Sequence, residues 1–560
     1  MKTANVWGQG QIFAFSALDG NNFEKNDFVG TLMGDKVGIE FHTKVRRNLY
    51  ITGFHEGDFN FSYVCGDYIS LSTASGNVKI IYYDRHLIAG SLAKGTYPLS
   101  FAEGKVTVKN IDGVELTDSG DGQFTALVYN EKQFAFAFGL SADEAISLAK
   151  NGLDADIEKT ASEREAYYTT NTIDCKYSAL YMKCLSVMKT QLYSPEGRMT
   201  GYWSTPDRLP HFDMWLWDSV FHALGHRHIS TDIAKQLILA LVPNQYENGM
   251  IPHRMGYDYR SDITQPPIIA WGAWEVYQSD KDKEFLKTIF DCNKKFLEWC
   301  HNNRRKNDEY LYIWHVSDDE NCRCDESGMD NSPRFDNVVN LQAIDFACFM
   351  ANDMRYMSKM ANELGEDSSY FDEMFENIKK AVNNKLWDEA DGFYYDYDLD
   401  RERIHKVKAV SSFLPLFTGI CSSEQAAKLA EKLTDSNEFG SEFTIPSIAL
   451  HDATFGSDMW RGPVWINYNY MISKGLYNYG YNSLADRIRE KTIEVVNEWY
   501  EKTGCVYEFY DCENKKAPAT LRRKGDAVEP YNMRVRCQTI RDYGWSCTLT
   551  CDMIASKYKK

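Results

Sequence analysis

The rhythm of apolar and polar positions along this chain changes once. From Gly8 to about Phe138 the two kinds alternate in short runs, such as VKIIYYD, GKVTVKN and KQFAFAFGL, separated by Gly, Asn and Asp turns. Alternation with period two sends one face of a strand to a core and the other to solvent, so residues 1–140 are predicted to form an all-β sandwich. A charged stretch follows, SADEAISLAKNGLDADIEKTASEREAYYTTN, which reads as a helical linker over 141–174 packed against the next domain. From Cys175 onward the period is helical, with about a dozen amphipathic segments that include 177–193, 229–242, 281–303, 337–363, 367–386, 422–433, 458–479, 482–501 and 545–557. A helix with one apolar stripe must bury it, and short connections favour antiparallel neighbours. The pattern therefore predicts a mainly α protein, an (α/α)6 barrel of six helical hairpins over 175–560 behind the β-sandwich domain.

One hairpin is interrupted by LWDEADGFYYDYD, where Asp391-Gly392 lies between aromatic, β-prone residues and predicts a small β-hairpin. Its acids, Asp388, Glu389 and Asp391, resemble the opening of a calcium loop, but no full ladder of oxygen ligands follows, so a plain turn is expected.

The chemistry-bearing residues recur just before every second helix. They are Trp217-Asp218 ahead of SVFHALGH, Gln265-Pro266-Pro267 ahead of IIAWGAWEVY, and Asp330-Asn331-Ser332-Pro333-Arg334 ahead of NVVNLQAIDFACFM. Further along come Trp460-Arg461-Gly462-Pro463 ahead of VWINYNYMISKGLY and Tyr543-Gly544-Trp545-Ser546 ahead of CTLTCDMI. In a hairpin barrel the inner helices run parallel, so these five loops should meet at one mouth, where free N–H groups and positive helix ends favour carboxylates and hydroxyl-rich ligands. Pro at the first helical position behind Asp or Ser is ordinary capping. Trp and Arg add nothing to a cap, and they recur where the caps are.

WLWDSVF, TQPPIIAWGAW, ESGMDNSPRFD, MWRGPVWINYNYMISKGLYNYGY, VYEFYD and YGWSCTLTCDMI, in this order, resemble the motif set of glycoside hydrolase family 63 and the related mannosylglycerate hydrolase-like domain, over most of residues 200–557. Trehalases of family 37 share the Gln-Pro-Pro and Glu-Ser-Gly-x-Asp elements but open with Gly-Gly-Arg-Phe, where this chain has LPHFDMWLWDS. The resemblance implies an inverting α-glycosidase with Asp330 as general acid and Glu508 as general base. By matched position it implies that Asp218, Gln265 and Arg461 bond the hydroxyls of the terminal sugar. Trp217, Trp460, Trp465 and Trp545 would then wall the pocket, with Asn244 of VPNQYENGMIPH a further contact. Asp330 must hold a proton to act, and Asp325 and Glu326 are the acids nearest in sequence that would help it do so, against the pull of a helix N-terminus. The substrate expected is a terminal α-linked glucose or mannose on a short oligosaccharide or a small glycoside such as a hexosylglycerate. The competing readings are a trehalase-like hydrolase, a sugar epimerase using His, and a sugar-binding protein without catalysis.

Composition narrows the partners. The formal charge is −18 with dispersed acids, and no basic stripe offers itself to a phosphate backbone, so neither nucleic acid nor an anionic membrane is an expected partner. The first twenty residues lack an apolar core and cleavage site, and a cytoplasmic address is expected. Fourteen cysteines, several inside helical segments, read as reduced thiols. Cys322 and Cys324 form the one close pair, without a second pair to complete a zinc site, and neither a metal nor a cofactor is expected. Aromatic content of 14% is high, and flat rings with polar edges suit sugar faces as well as cores.

Overall fold

A computed structural model describes residues 1–24, 28–34, 36–54, 57–525 and 537–559. Two antiparallel sheets build the amino-terminal part. One runs in the order Ile12–Phe13, Gly30–Leu32, Gly38–Phe41, Arg47–Thr52, Tyr97–Ala102. The other runs Thr107–Ile111, Val114–Asp118, Phe124–Tyr129, Gln133–Gly139, Leu87–Ser91, Gly76–Asp84, Tyr68–Thr73, Phe59–Val64. Their inner faces interdigitate through residues such as Phe28, Phe41, Ile80 and Phe136, which makes the predicted sandwich.

The charged stretch differs from the single linker helix expected. It forms two helices, α1 (Ala142–Gly152) and α2 (Ile157–Asn171), capped by Ser141 and Asp156. α1 lays Ala145 and Ala149 on the outer face of the larger sheet, against Leu87, Val114 and Ala135. α2 packs on the same sheet and on α3 (Ser178–Thr190). Small alanines let the helices approach the sheet closely, and that face is the one the alternation had assigned to solvent.

Among the described residues eleven helices follow α3: α4 (Leu216–His226), α5 (Thr231–Leu239), α6 (Ile269–Tyr277), α7 (Lys283–Asn303), α8 (Ile344–Leu364), α9 (Ser369–Lys385), α10 (Leu414–Thr418), α11 (Ser423–Lys432), α12 (Ile466–Asn478), α13 (Asn482–Thr503) and α14 (Gly544–Tyr558). In space α4, α6, α8, α10 and α12 each pack on the next, α12 packs on α14, and α14 returns to α4. Every residue of α4 is buried, whereas α7, α9 and α13 bury a single face. That contrast matches a helix enclosed on all sides and helices that bury one amphipathic face.

Two predicted helices start later than their apolar pattern. α8 begins at Ile344 rather than 337, because Asn337 takes a left-handed φ of 56° and Leu341–Gln342 pairs as a strand with Asp396–Asp398. α12 begins at Ile466 rather than 458: Gly462 has φ 133°, and a Cβ there would lie 2.0 Å from the Gly456 carbonyl oxygen. The hairpin at Asp391-Gly392 forms as expected, with Trp387–Asp388 against Phe393–Tyr394. Its acids are matched by cations of the chain: Lys406 Nζ lies 2.7 Å from Asp388 and 2.8 Å from Asp391, and Lys428 Nζ lies 2.6 Å from Glu389. Cys184, Cys300, Cys348, Cys547 and Cys551 are buried free thiols. Among the described residues no helix is long and apolar enough to cross a membrane.

Candidate active site

The starts of α4, α12 and α14, and the loops that precede α6 and α8, meet at a cavity of about 170 Å³. Asp330, Glu508, Trp217, Asp218, Gln265, Trp460, Trp465 and Trp545 all line it. Residues from six distant stretches are therefore in one place, five of them the loops that recur before alternate helices and the sixth the segment of Glu508.

Asp330 sits on a loop fixed from below. Gly328 closes the turn of Asp325–Ser327 with φ 69°, and a Cβ there would meet the Trp217 ring at 2.2 Å, so the indole rests directly on the glycine. Arg334 is fully buried and forks to two carboxylates: Nη1 to Asp345 Oδ2 at 2.6 Å and Nε to Asp396 Oδ2 at 2.8 Å. Such a fork fixes the loop in orientation as well as position. Asn331 ties the loop to its neighbour, accepting from the Trp460 N–H at 3.0 Å and donating to Asp458 Oδ1 at 3.1 Å. Asp330 itself pairs with Lys524, Oδ2 to Nζ at 2.7 Å.

The three acids of this loop separate into three roles. Glu326 is wholly buried and accepts from Arg304 at 2.6 Å, from the His315 N–H at 2.8 Å and from the Thr264 N–H at 3.1 Å. It is a strut between the Gln265 and Asp330 loops, and not the acidic neighbour of Asp330 that its sequence position suggested. Asp325 does line the cavity, and burial together with the charge of Asp330 raises its pKa. Cys322, Asp325 and Asp330 bring one donor atom each within 4.8 Å of one another. Lys524 reaches into the same group, its Nζ 3.0 Å from the Cys322 sulfur, so an ammonium of the chain already balances these acids. Cys324, the other half of the close cysteine pair, is buried away from the cavity lining.

Glu508 is held differently. It is 1% exposed and receives Arg523 as a two-pronged partner, Nε to Oε2 at 2.7 Å and Nη2 to Oε1 at 3.1 Å. Its backbone lies between two extended segments: its N–H donates to the Ile540 carbonyl at 3.0 Å, and the neighbouring Tyr510 exchanges hydrogen bonds with Val464.

The walls are indoles. Trp460 and Trp465 stack at 3.8 Å and 1°, while Trp217 and Trp545 meet edge to face at 5.2 Å. Asp218 lies in the first turn of α4, and burial, with Asp207, Glu508 and Asp330 nearby, pushes its pKa well up. Its Oδ1 and the indole N–H groups of Trp460 and Trp545 are buried without a hydrogen-bond partner among the described residues. Unpaired buried polar groups facing a cavity are an unmet demand that a hydroxyl-rich ligand satisfies. Gln265 accepts from the Trp217 backbone N–H through its Oε1 at 3.2 Å and lines the cavity.

Two expected contacts fall elsewhere. Arg461 turns to the rim, where Nη2 binds Asp336 Oδ1 at 2.6 Å and clasps the two loops from outside. Asn244 is buried beneath α5, donating to the Ala240 carbonyl at 2.9 Å in the turn that ends the helix. Sequence reasoning missed Arg523, Lys524, His253 and Arg254, all of which line the cavity. Arg523 and Lys524 belong to LRRKGD, which has no apolar period and reads as a solvated charge run. Burial holds His253 down to about 4, so it stands neutral beside the cavity.

Acids and indoles gathered at one end of a helical ring describe a site for splitting or binding sugars, and comparison with known proteins identifies which. Residues 210–546, more than half of the chain, match the family pattern described as the mannosylglycerate hydrolase MGH1-like glycoside hydrolase domain. The chain belongs to that family and is a glycoside hydrolase. Mannosylglycerate hydrolase of Thermus thermophilus is 24% identical over 385 residues, covering 53% of this chain and 88% of the relative. Mannosylglycerate hydrolase MGH1 of Selaginella moellendorffii is 26% identical over 384 residues, covering 53% and 75%. The crystal structure of a family 63 mannosylglycerate hydrolase from Thermus thermophilus in complex with glucose superposes with a TM-score of 0.54 at 25% identity, over 67% of this chain and 99% of that one.

Proposed function

We propose that this glycoside hydrolase is an inverting, exo-acting α-glycosidase that removes one terminal α-linked mannose or glucose from a small glycoside with an anionic leaving group, such as a hexosylglycerate. The observation that carries the reading is the pairing of two separately anchored carboxyls, Asp330 and Glu508, on one sugar-sized cavity. A volume of about 170 Å³ lies below the ~300–1,000 Å³ of drug-sized pockets and suits a single ring rather than a polymer.

An inverting glycosidase needs a protonated carboxyl on the leaving oxygen and an ionised one that deprotonates water on the opposite face. Glu508, held in place by Arg523, takes the proton of the attacking water. Asp330 gives its proton to the leaving oxygen. Its partner Lys524 is a single ammonium on a flexible stem, and a carboxylate on the leaving group would draw that ammonium off Asp330 as the substrate enters. Asp218, Gln265 and the Trp460 and Trp545 N–H groups would take the hydroxyls of the terminal sugar, with the indole faces against its C–H surface.

The architecture fits this chemistry as an (α/α)6 barrel over 175–560, with α4, α6, α8, α10, α12 and α14 as its inner ring, a β-sandwich domain over 1–140 and the helical segment 141–174 between them. Released hexose from a panel of mannosylglycerate, glucosylglycerate, trehalose and neutral α-disaccharides tests the substrate. The hexosylglycerates should be cleaved fastest; preference for trehalose would return the trehalase-like reading.

A further inference from the structure

The amino-terminal residues lie outside the family match at 210–546, yet they touch the loop that carries Glu508 at both of its ends. At the first end, Gln11 Nε2 donates to the Gly504 carbonyl at 2.6 Å, and Gln11 Oε1 accepts from the Gly8 N–H at 2.7 Å. The fit is tight, since a Cβ on Gly8 would lie 1.6 Å from the Thr503 carbonyl oxygen. At the second end stands Asp542, fully buried with φ 58°. Its Oδ2 accepts from the Ile12 N–H at 2.9 Å and from Lys183 Nζ at 2.7 Å, and its Oδ1 accepts from the Val506 N–H at 3.3 Å. Arg541 reaches back to the Gln9 carbonyl. Between these two clamps run Val506, Tyr507 and Glu508, with the Glu508 N–H bonded to Ile540 only two residues from Asp542.

We propose that the segment Gly8–Ile12 sets the position of Glu508, with Gln11 and Asp542 as positioning residues for the carboxylate that prepares the attacking water. The inference rests on the reading of Glu508 as the base. The sandwich domain is then part of the catalytic apparatus, because its first strand fixes the loop opposite Asp330. Displacement of a catalytic group by a fraction of an ångström lowers turnover without weakening ground-state binding.

The test is a double-variant cycle on the full chain. Asp542→Asn leaves Lys183 without its charged partner and risks the fold, so the gentler Gln11→Met, close in shape and lacking both hydrogen bonds, carries the test. In the wild-type background Gln11→Met should lower kcat about tenfold with KM within twofold. In the Glu508→Gln background, assayed on a substrate with an activated leaving group, it should change kcat less than about twofold, since a residue acting through Glu508 has nothing left to position. An unchanged kcat in the first background, or an equal loss in both, overturns the inference. Near wild-type turnover of Glu508→Gln alone would instead overturn the base reading itself.

Discussion

The two carboxylate loops of the cavity are built on opposite plans. Glu508 is buried, gripped by a guanidinium fork and woven between Ile540 and Val464. Asp330 is 18% exposed at its side chain and meets one lysine, while the rigidity of its loop comes from elsewhere, through Arg334 beneath it. A base, the role proposed for Glu508, must be held in place, and a planar fork does so. An acid must carry a proton before it acts, and a lone ammonium on four methylenes is a partner it can lose. On the proposed roles, a leaving group that attracts Lys524 would ready the acid.

Removing either carboxyl should have the largest effect. Asp330→Asn and Glu508→Gln are each expected to lower kcat by roughly 10²–10⁴-fold while substrate binding, measured by calorimetry, stays near wild type. A variant that keeps near wild-type turnover would dissolve the comparison.

The partners sharpen it. Arg523→Met strands a buried carboxylate, so it should cost about 3–5 kcal/mol in urea unfolding as well as most of the turnover on every substrate. Lys524→Met should leave stability nearly unchanged and lower kcat/KM about tenfold for an anionic leaving group but not for a neutral one. Equal losses on both substrates would show that Lys524 does not read the leaving group.

The smallest effect on turnover is expected from the buried histidines of α4. Burial holds His222 and His226 down to about 3 and about 4, against an ordinary 6.5. Below 6.5 the unfolded chain therefore binds protons that the folded state refuses. The stability these groups contribute is complete above 6.5 and is lost as the pH falls through 4 and 3. Asp353, raised to about 6 by burial, acts in the opposite sense: its contribution is complete below 3.8 and is lost as the pH rises through 6. His226→Gln should flatten the acid side of a melting-temperature profile while kcat at neutral pH stays within about twofold.

Much of this was legible in the sequence wherever a local rule applied. The change from period two to a helical period marked the passage from sandwich to helices, and Trp, Asp and Gln before alternate helices pointed to residues that share one cavity. What escaped notice depended on pairing across the chain. Arg461 carries the same motif position as a sugar contact, but Asp336, far away in sequence, captures its guanidinium. Arg523 and Lys524 sit in a patternless charged run, and only the fold brings them to Glu508 and Asp330. The late starts of α8 and α12 had no signal in the apolar period, since the left-handed φ of Asn337 and the close approach of Gly462 to Gly456 are backbone features that hydrophobicity does not encode.

Proton NMR in the first minutes of hydrolysis tests the central claim most directly, the direct displacement by water between Asp330 and Glu508. An α-mannoside or α-glucoside should release the β-anomer first, with the α-anomer growing in only by mutarotation. If the α-anomer appears first, a covalent sugar intermediate has formed, Glu508 is not the base, and a nucleophile must lie at the roughly 5–5.5 Å carboxyl separation of retaining enzymes.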